Sequence, residues 1–467
     1  MKNDLDNNKL NLYFQFIISF ITVCILYSLA ISFNGKYDSE IVYITNSIII
    51  IYSLIHIISN ESKSYSAIKI FYLFIFFFMG FAPLMQYKLG TETVGGYKIS
   101  ESTYILTNII LIFVLIIFDL SYKYIIQSNK RNKIKKSIKY FDIGNELLIE
   151  NAKWRNILLC LAIFSTFFTI YTFRNTPWLL LIRGIEDLTG APQTVSESGN
   201  FSGPLFDCII RPISVLCCIN YLALGKNRKY KFIFIIIALI GCFPTSLSRL
   251  RTAAYYMPIL ILLLPKLRYN NRFILFFIAG FLIVFPLLNN FRTWSTGKLS
   301  TPKFDFEMFC NMNYDSYQSL AFVIQNDIVT YGKQLSVALF FWIPRSIWPD
   351  KPYMSGRMVA HEYNLWFDQI SMNYFGEGYL NAGIIGIFIF TIILANITAR
   401  FDYSFWIKNK GNLHSFFAPF YLLFIGMYFF FMRGDLMYGL EYTLCLMIVN
   451  YFIYFISKRI ILKKSNL

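Results

Sequence analysis

Charge is scarce in this chain: 15% of its 467 residues are Asp, Glu, Lys or Arg, against about 25% in a soluble domain. That leaves too little polar surface for a soluble protein. Histidine is scarcer still, with three in all. No CxxC pair occurs, and of the eight Cys (24, 160, 208, 217, 218, 242, 310 and 445) all but Cys310 sit inside apolar runs. Neither a disulfide framework nor a zinc site follows from that distribution. Walker and Rossmann glycine patterns are missing, so nucleotide hydrolysis by this chain is not its energy source. The loops assigned below to the outer face lack HExxH, DxD and any Cys/His cluster, so no metal and no cofactor is expected.

What is present is apolar. Hydrophobic residues make up 56% of the chain and aromatics 19%, with a mean hydropathy of +0.50. A hydrocarbon core about 30 Å thick needs about 20 apolar residues of helix. By that measure the sequence predicts an all-α polytopic membrane protein with twelve spans: 12–33, 41–59, 68–87, 103–125, 154–173, 204–224, 232–247, 252–265, 273–291, 378–399, 416–432 and 436–457. The first run is followed by no small-residue cleavage site and reads as a span, not a removed signal peptide. Residues 1–467 form a single integral membrane domain, with long loops at 174–203 and 292–377. The net charge of +17 does not indicate nucleic acid, because most Lys falls in short loops, where it sets topology. Lys and Arg crowd 123–155, 226–231, 266–272 and the tail. Twelve spans put all of these on the side of the N-terminus, which is therefore cytoplasmic.

The alternation of span and loop stops at 332–383, where Arg345, Asp350, Lys351, Arg357, His361, Glu362, Asp368 and Glu377 gather with Trp342, Trp348 and Trp366. A stretch so charged does not cross a bilayer, and one so aromatic is not a disordered tail. It reads as ordered structure at a membrane face. Within it, 335–343 is apolar but too short to span, and reads as an interfacial or re-entrant helix ending before Pro344.

Outer loops should be poor in Arg, yet here they hold Arg174, Arg183, Arg249, Arg251, Arg292, Arg345, Arg357 and Arg433, while the inner loops are rich in Lys. Arg211 lies within the sixth apolar run, where insertion of a charge costs about 2.5–3.5 kcal/mol and implies a partner or a function. One such Arg is readily explained by snorkelling to headgroups. Nine together point to an anion, phosphate foremost, because the guanidinium fork suits bidentate pairing. Glu377, at the start of the tenth span, either caps a helix N-terminus or acts in catalysis or sugar binding. Asp435 either pairs with Arg433 or binds sugar hydroxyls. His361 is either structural or the one outer-face group suited to proton transfer near neutrality.

The run IPRSIWPDKP (343–352), then GEGYLNAGIIG (376–386), with SRLRTAA (248–254) and RGD (433–435), resembles the Wzy-type O-antigen and oligosaccharide repeat-unit polymerases. So does the layout of a dozen helices with both ends inside and one dominant periplasmic loop. The resemblance implies a GT-C-like glycosyltransferase of the bacterial inner membrane that faces the periplasm. Its substrates would be undecaprenyl-diphosphate-linked glycans. A growing polymer would pass from its lipid diphosphate to the terminal sugar of a new lipid-linked unit, as in O-antigen synthesis for lipopolysaccharide. A chain-length regulator and a flippase would be its partners in the membrane. Arg345, Arg249, Arg251, Arg433 and Arg211, then Arg183, with Lys351, would contact diphosphate or glycan. Glu377 and His361 compete as the base, and the periplasmic His of the related ligases favours His361. Trp348, Tyr353 and Trp366 either stack on sugars or anchor in the interfacial belt. The rival readings are an O-antigen ligase and a lipid-linked oligosaccharide flippase or transporter. A transporter commonly shows repeats and broken helices, neither of which the sequence displays. A membrane scaffold would not need so many Arg.

Overall fold

An apolar run in hydrocarbon can satisfy its N–H and C=O groups only along its own chain, so it folds as a helix. The computed structural model describes residues 39–59, 63–132, 149–181, 206–269, 271–284, 309–365 and 370–462, and these contain helices and no strands. In chain order the helices used below are α1 (Glu40–Ile58), α2 (Ala67–Leu89), α3 (Glu101–Asn132), α4 (Ala152–Thr172), α5 (Phe206–Leu224), α6 (Arg228–Gly241) and α7 (Arg249–Leu263). They continue with α8 (Arg272–Ala279), α9 (Ser316–Gln325), α10 (Lys333–Leu339), α11 (Ser355–Glu362), α12 (Tyr374–Asp402), α13 (Ala418–Arg433) and α14 (Leu436–Leu462).

Among the described residues eight helices, α1 to α5, α6 with its continuation to Ser246, α12 and α14, are long and apolar enough to cross a membrane. Shorter apolar helices at Arg251–Leu263, Arg272–Leu282 and Ala418–Arg433 coincide with the eighth, ninth and eleventh expected runs. The expected run at 12–33 lies outside the described residues.

Asn and Ser side chains set several helix starts by accepting orphan backbone N–H groups. Asn151 caps α4, Asn227 caps α6, Ser248 caps α7 and Asn373 caps α12. The most enclosed helix is α2, which buries 94% of its membrane-length window. Its Phe71 stacks on Phe118 of α3 at 3.6 Å and its Phe77 on Phe281 at 4.6 Å. The carboxylate of Asp402, at the end of α12, accepts from Ala67 N, Tyr122 OH and Tyr421 OH, and so pins the start of α2. Two apolar cores meet at α13. One takes its Leu422, Phe424 and Ile425, and the other takes Leu423 and Met427. By contrast, α4 and α6 present Ile163, Phe164, Phe167, Phe232 and Ile240 outward. Such helices, apolar on their exposed faces, suit contact with lipid.

The two ends of the bundle differ in charge. Arg211, near the start of α5, donates to Ser246, just past α6, and Arg251, at the start of α7, donates to Tyr442, at the start of α14. These helix ends therefore share one face. The α5–α6 turn with Lys226 to Lys231, the α7–α8 turn with Lys266 and Arg268, and the end of α14 with Lys458 and Arg459 lie at the other.

The expected tenth span departs most from its simple reading. Helix α12 begins at Tyr374 and is broken at Ala382 and Gly383, whose φ/ψ of −156°/31° and 61°/−150° are not helical. Only glycine adopts the second pair readily. The chain folds back there into a helical hairpin. Tyr374 OH donates to Phe390 O at 3.1 Å across it. Gly378 and Gly386 face each other so closely that a Cβ on Gly386 would fall 2.0 Å from Gly378 O. Glycines of the GEGYLNAGIIG run are thus the crossing point of two helical legs, 374–381 and 384–402. The apolar stretch expected to be helical over 335–343 is helical only over Lys333–Leu339. Leu335 N donates to Asn381 Oδ1 at 2.7 Å, which ties α10 to the tip of the hairpin.

Candidate functional site

Glu377, Asp435 and Arg433 meet where four helices begin: α9, α11, α12 and α14. Helix N-termini carry partial positive charge and unsatisfied N–H groups, so carboxylates collect there. Glu377 does not cap its own helix, since Asn373 does that. Instead its carboxylate accepts from Leu436 N of α14 at 2.9 Å and from Ser355 Oγ of α11 at 2.8 Å. Asp435 in turn accepts from Gly356 N of α11 at 3.1 Å and from Met372 N at 2.6 Å. Each carboxylate therefore caps a neighbouring helix, and the start of α11 joins the two. Arg433 pairs with Asp315, at 3.3 Å, and donates to Asn313 O and Met312 O. Asp315, Glu377 and Asp435 are all buried.

Burial pushes the Asp435 carboxyl up to about 7, with the nearby Asp315 charge adding to the rise and the Met372 and Gly356 N–H groups and Arg433 opposing it. The folded chain then keeps this proton to higher pH than the unfolded chain does. Its contribution to stability is full below the ordinary Asp value of about 4 and is lost as pH rises through about 7. The thermal midpoint in detergent should fall between about pH 4 and pH 7, and Asp435→Asn should flatten that slope. An unchanged slope in the variant would show that another group carries it.

Arg211 and Arg251 meet at a second place, around Asp207. Arg211 Nη1 lies 3.7 Å from Asp207 Oδ1, and Arg251 Nη1 lies 3.4 Å from Oδ2. Arg211 also donates to Ser246 Oγ at 2.7 Å and Gly241 O at 3.3 Å. Arg251 donates to Ser248 Oγ at 3.2 Å and Tyr442 OH at 3.3 Å. Both guanidinium groups are buried, and burial of a charge demands such partners. Asp207 precedes Arg211 by four residues, a spacing that aligns the two on one helix face. The tie to Arg251 crosses 44 positions and leaves no local mark in the sequence.

A third group is exposed. Arg345 donates to Lys351 O at 2.6 Å and Pro352 O at 3.4 Å, and its guanidinium lies 5.0 Å from the centre of the Tyr353 ring. Arg357 lies over the same ring, also at 5.0 Å, and His361 stacks on it at 5.1 Å. Arg357 Nε donates to His361 Nε2 at 3.4 Å. Lys351 Nζ donates to Phe341 O and Ile343 O at 2.9 and 3.0 Å. Partial burial, with the Arg345 charge beside it, lowers the Lys351 pKa. Tyr353 thus carries cations and an imidazole on its ring. Among the described residues no carboxylate pairs with Arg345. Trp348 is half-buried in the turn after Pro344, where its N–H donates to Pro344 O at 3.0 Å.

The structure therefore divides the sequence candidates. It joins Arg211 with Arg251, joins Arg345 with Lys351 and His361, and joins Glu377 with Asp435 beside Arg433. It does not put all the Arg together, because Arg211 and Arg251 share Asp207 while Arg433 pairs with Asp315. Arg183 and Trp366 lie outside the described residues, and so does the side chain of Arg249. Sequence reasoning missed Asp207, Tyr442 and Asp315 as partners. It also missed the broken helix in α12, for which Gly383 was the available signal. No protein-family model, no curated protein and no solved structure matches the chain.

Proposed function

We propose that the chain is a multi-pass glycosyltransferase that polymerises lipid-diphosphate-linked oligosaccharide units, the reaction of the family it resembles. The observation that carries this is the exposed group at Arg345. Two guanidiniums and an imidazole meet around one tyrosine ring, the Lys351 ammonium lies on the adjoining turn, and among the described residues Arg345 donates only to backbone carbonyls. A diphosphate is the anion that best complements such a set. Its bridging oxygen gains charge as the glycosyl bond breaks, and fixed cations stabilise that charge in the transition state. On this reading the Lys-rich end of the bundle faces the cytoplasm and Arg345 works at the periplasmic face of the inner membrane. Eight long and three shorter apolar helices are present among the described residues, and a twelve-span GT-C-like fold would need one span more.

Arg345→Ala should abolish long-chain product while leaving expression and membrane insertion intact, each measured on the same cells. Loss of one transition-state donor costs about 10²–10³-fold in rate. Arg345→Lys should also fail, because an ammonium lacks the planar fork. Full-length product from either variant would remove Arg345 from the reaction. Wild-type transfer should persist in EDTA.

One observation favours a second reading. A helix broken within a hairpin, as in α12, is a feature of transporters, so a lipid-linked oligosaccharide flippase is the rival. Gel analysis of surface glycans after deletion of the gene separates the readings. A polymerase deletion leaves single capped repeats, a ligase deletion leaves none attached, and a flippase deletion traps units inside.

A further inference from the structure

We propose that Glu441, on α14, is the carboxylate that takes the proton from the attacking sugar hydroxyl. The assignment rests on the transferase reading above. The buried acids of this face are committed, and Asp350 and Glu362 are exposed on the surface. Glu377 and Asp435 are buried, and both oxygens of each accept hydrogen bonds from neighbouring helix starts. Asp207 is shared by two guanidiniums. The Nε2 lone pair of His361 faces Arg357 Nε.

Glu441 differs on each count. It is half-buried, and its Oε1 accepts from Cys208 Sγ at 3.6 Å. Its second oxygen carries no hydrogen bond among the described residues. Its charge lies within electrostatic reach of the Lys351 ammonium, which is itself within reach of Arg345. Helix α10, which leads into the Arg345 turn, packs on α14. Glu441 therefore lies on the helix that packs against the segment leading into the cation patch. Its position is fixed from behind, since Tyr442 bonds Arg251 while Cys208 follows Asp207. The buried ion triad holds both backbones from which this contact is made. A general base needs such an arrangement: free acceptor capacity, a fixed backbone and reach to the reacting group.

The step balances as follows. The acceptor hydroxyl oxygen forms a bond to the anomeric carbon of the donor glycan. The bond from that carbon to the diphosphate oxygen breaks, and its electron pair leaves with the lipid diphosphate. The hydroxyl proton passes to Glu441 and then to solvent.

The test uses the full chain in nanodiscs with a synthetic polyprenyl-diphosphate-linked oligosaccharide. Glu441→Gln retains an acceptor for Cys208 and should fold, as a thermal midpoint would show. It should lower kcat by about 100-fold or more with KM nearly unchanged, and it should lose the acidic limb of the pH–rate profile. Glu441→Asp should retain measurable turnover and that limb. An E441Q protein with wild-type kcat, or an E441D protein as inactive as E441Q, overturns the assignment and leaves the transferase reading standing. A wild-type protein that transfers nothing overturns both.

Discussion

Asp207→Asn is expected to destabilise the protein by about 3–5 kcal/mol, the cost of stranding a buried charge by removing its partner. Here one carboxylate serves two cations, Arg211 at 3.7 Å and Arg251 at 3.4 Å. With Asp207 ionised the triad sums to +1. Asparagine, nearly the same size, would raise it to +2 among apolar helices. Removing a cation works in the opposite direction. Arg211→Met would bring the triad to zero, with Asp207 still paired to Arg251. It should cost less than Asp207→Asn, although Ser246 and Gly241 lose a donor. The ordering is the test, measured as chemical or thermal denaturation in detergent. Asp207→Asn as stable as wild type, or milder than Arg211→Met, would mean that the guanidiniums draw their compensation from somewhere other than Asp207.

The same triad shows what the sequence could and could not reveal. Arg211 within an apolar run announced that a partner was needed, and Asp207 stood four residues away. Arg251 was read as an outer-loop Arg, and its partner sits on another helix. Helix existence was legible almost throughout, because an apolar run of membrane length leaves few folding options. Pairing between helices was not, because it depends on rotation and register that composition does not encode. For that reason the Arg were anticipated as one cluster, and among the described residues they are found apart, with Arg174 alone over Tyr171. Arg433 pairs with Asp315 across 118 positions. Glu377 was weighed as a cap of its own helix, and it caps α14 instead, 59 residues on. The exposed group at Arg345 was the most legible, since Arg345, Lys351, Tyr353, Arg357 and His361 are close in sequence and their contacts are local.

Gly386→Ala should cost as much as or more than the buried-charge change. Overpacking usually costs about 1–3 kcal/mol because side chains can shift. Here the new methyl would meet backbone, 2.0 Å from Gly378 O and 2.9 Å from its carbonyl carbon. Neither leg of the α12 hairpin can yield without separating from the other. Separation would carry the 374–381 leg away from the rest of the site. That leg holds Glu377 against Leu436 N and Ser355, and Asn381 against Leu335 N. One methyl at the crossing should therefore loosen three connections, to α14, α11 and α10. Gly383→Ala is the control at the tip. Its Cβ would meet nothing within 4 Å, so only the backbone strain of φ +61° opposes it, worth about 1–3 kcal/mol. Gly386→Ala should thus lower the thermal midpoint further than Gly383→Ala and expose the 370–373 segment to limited proteolysis. Equal midpoints for the two variants would mean that the legs do not cross at these glycines, and the route by which Glu377 reaches α14 would have to be drawn differently.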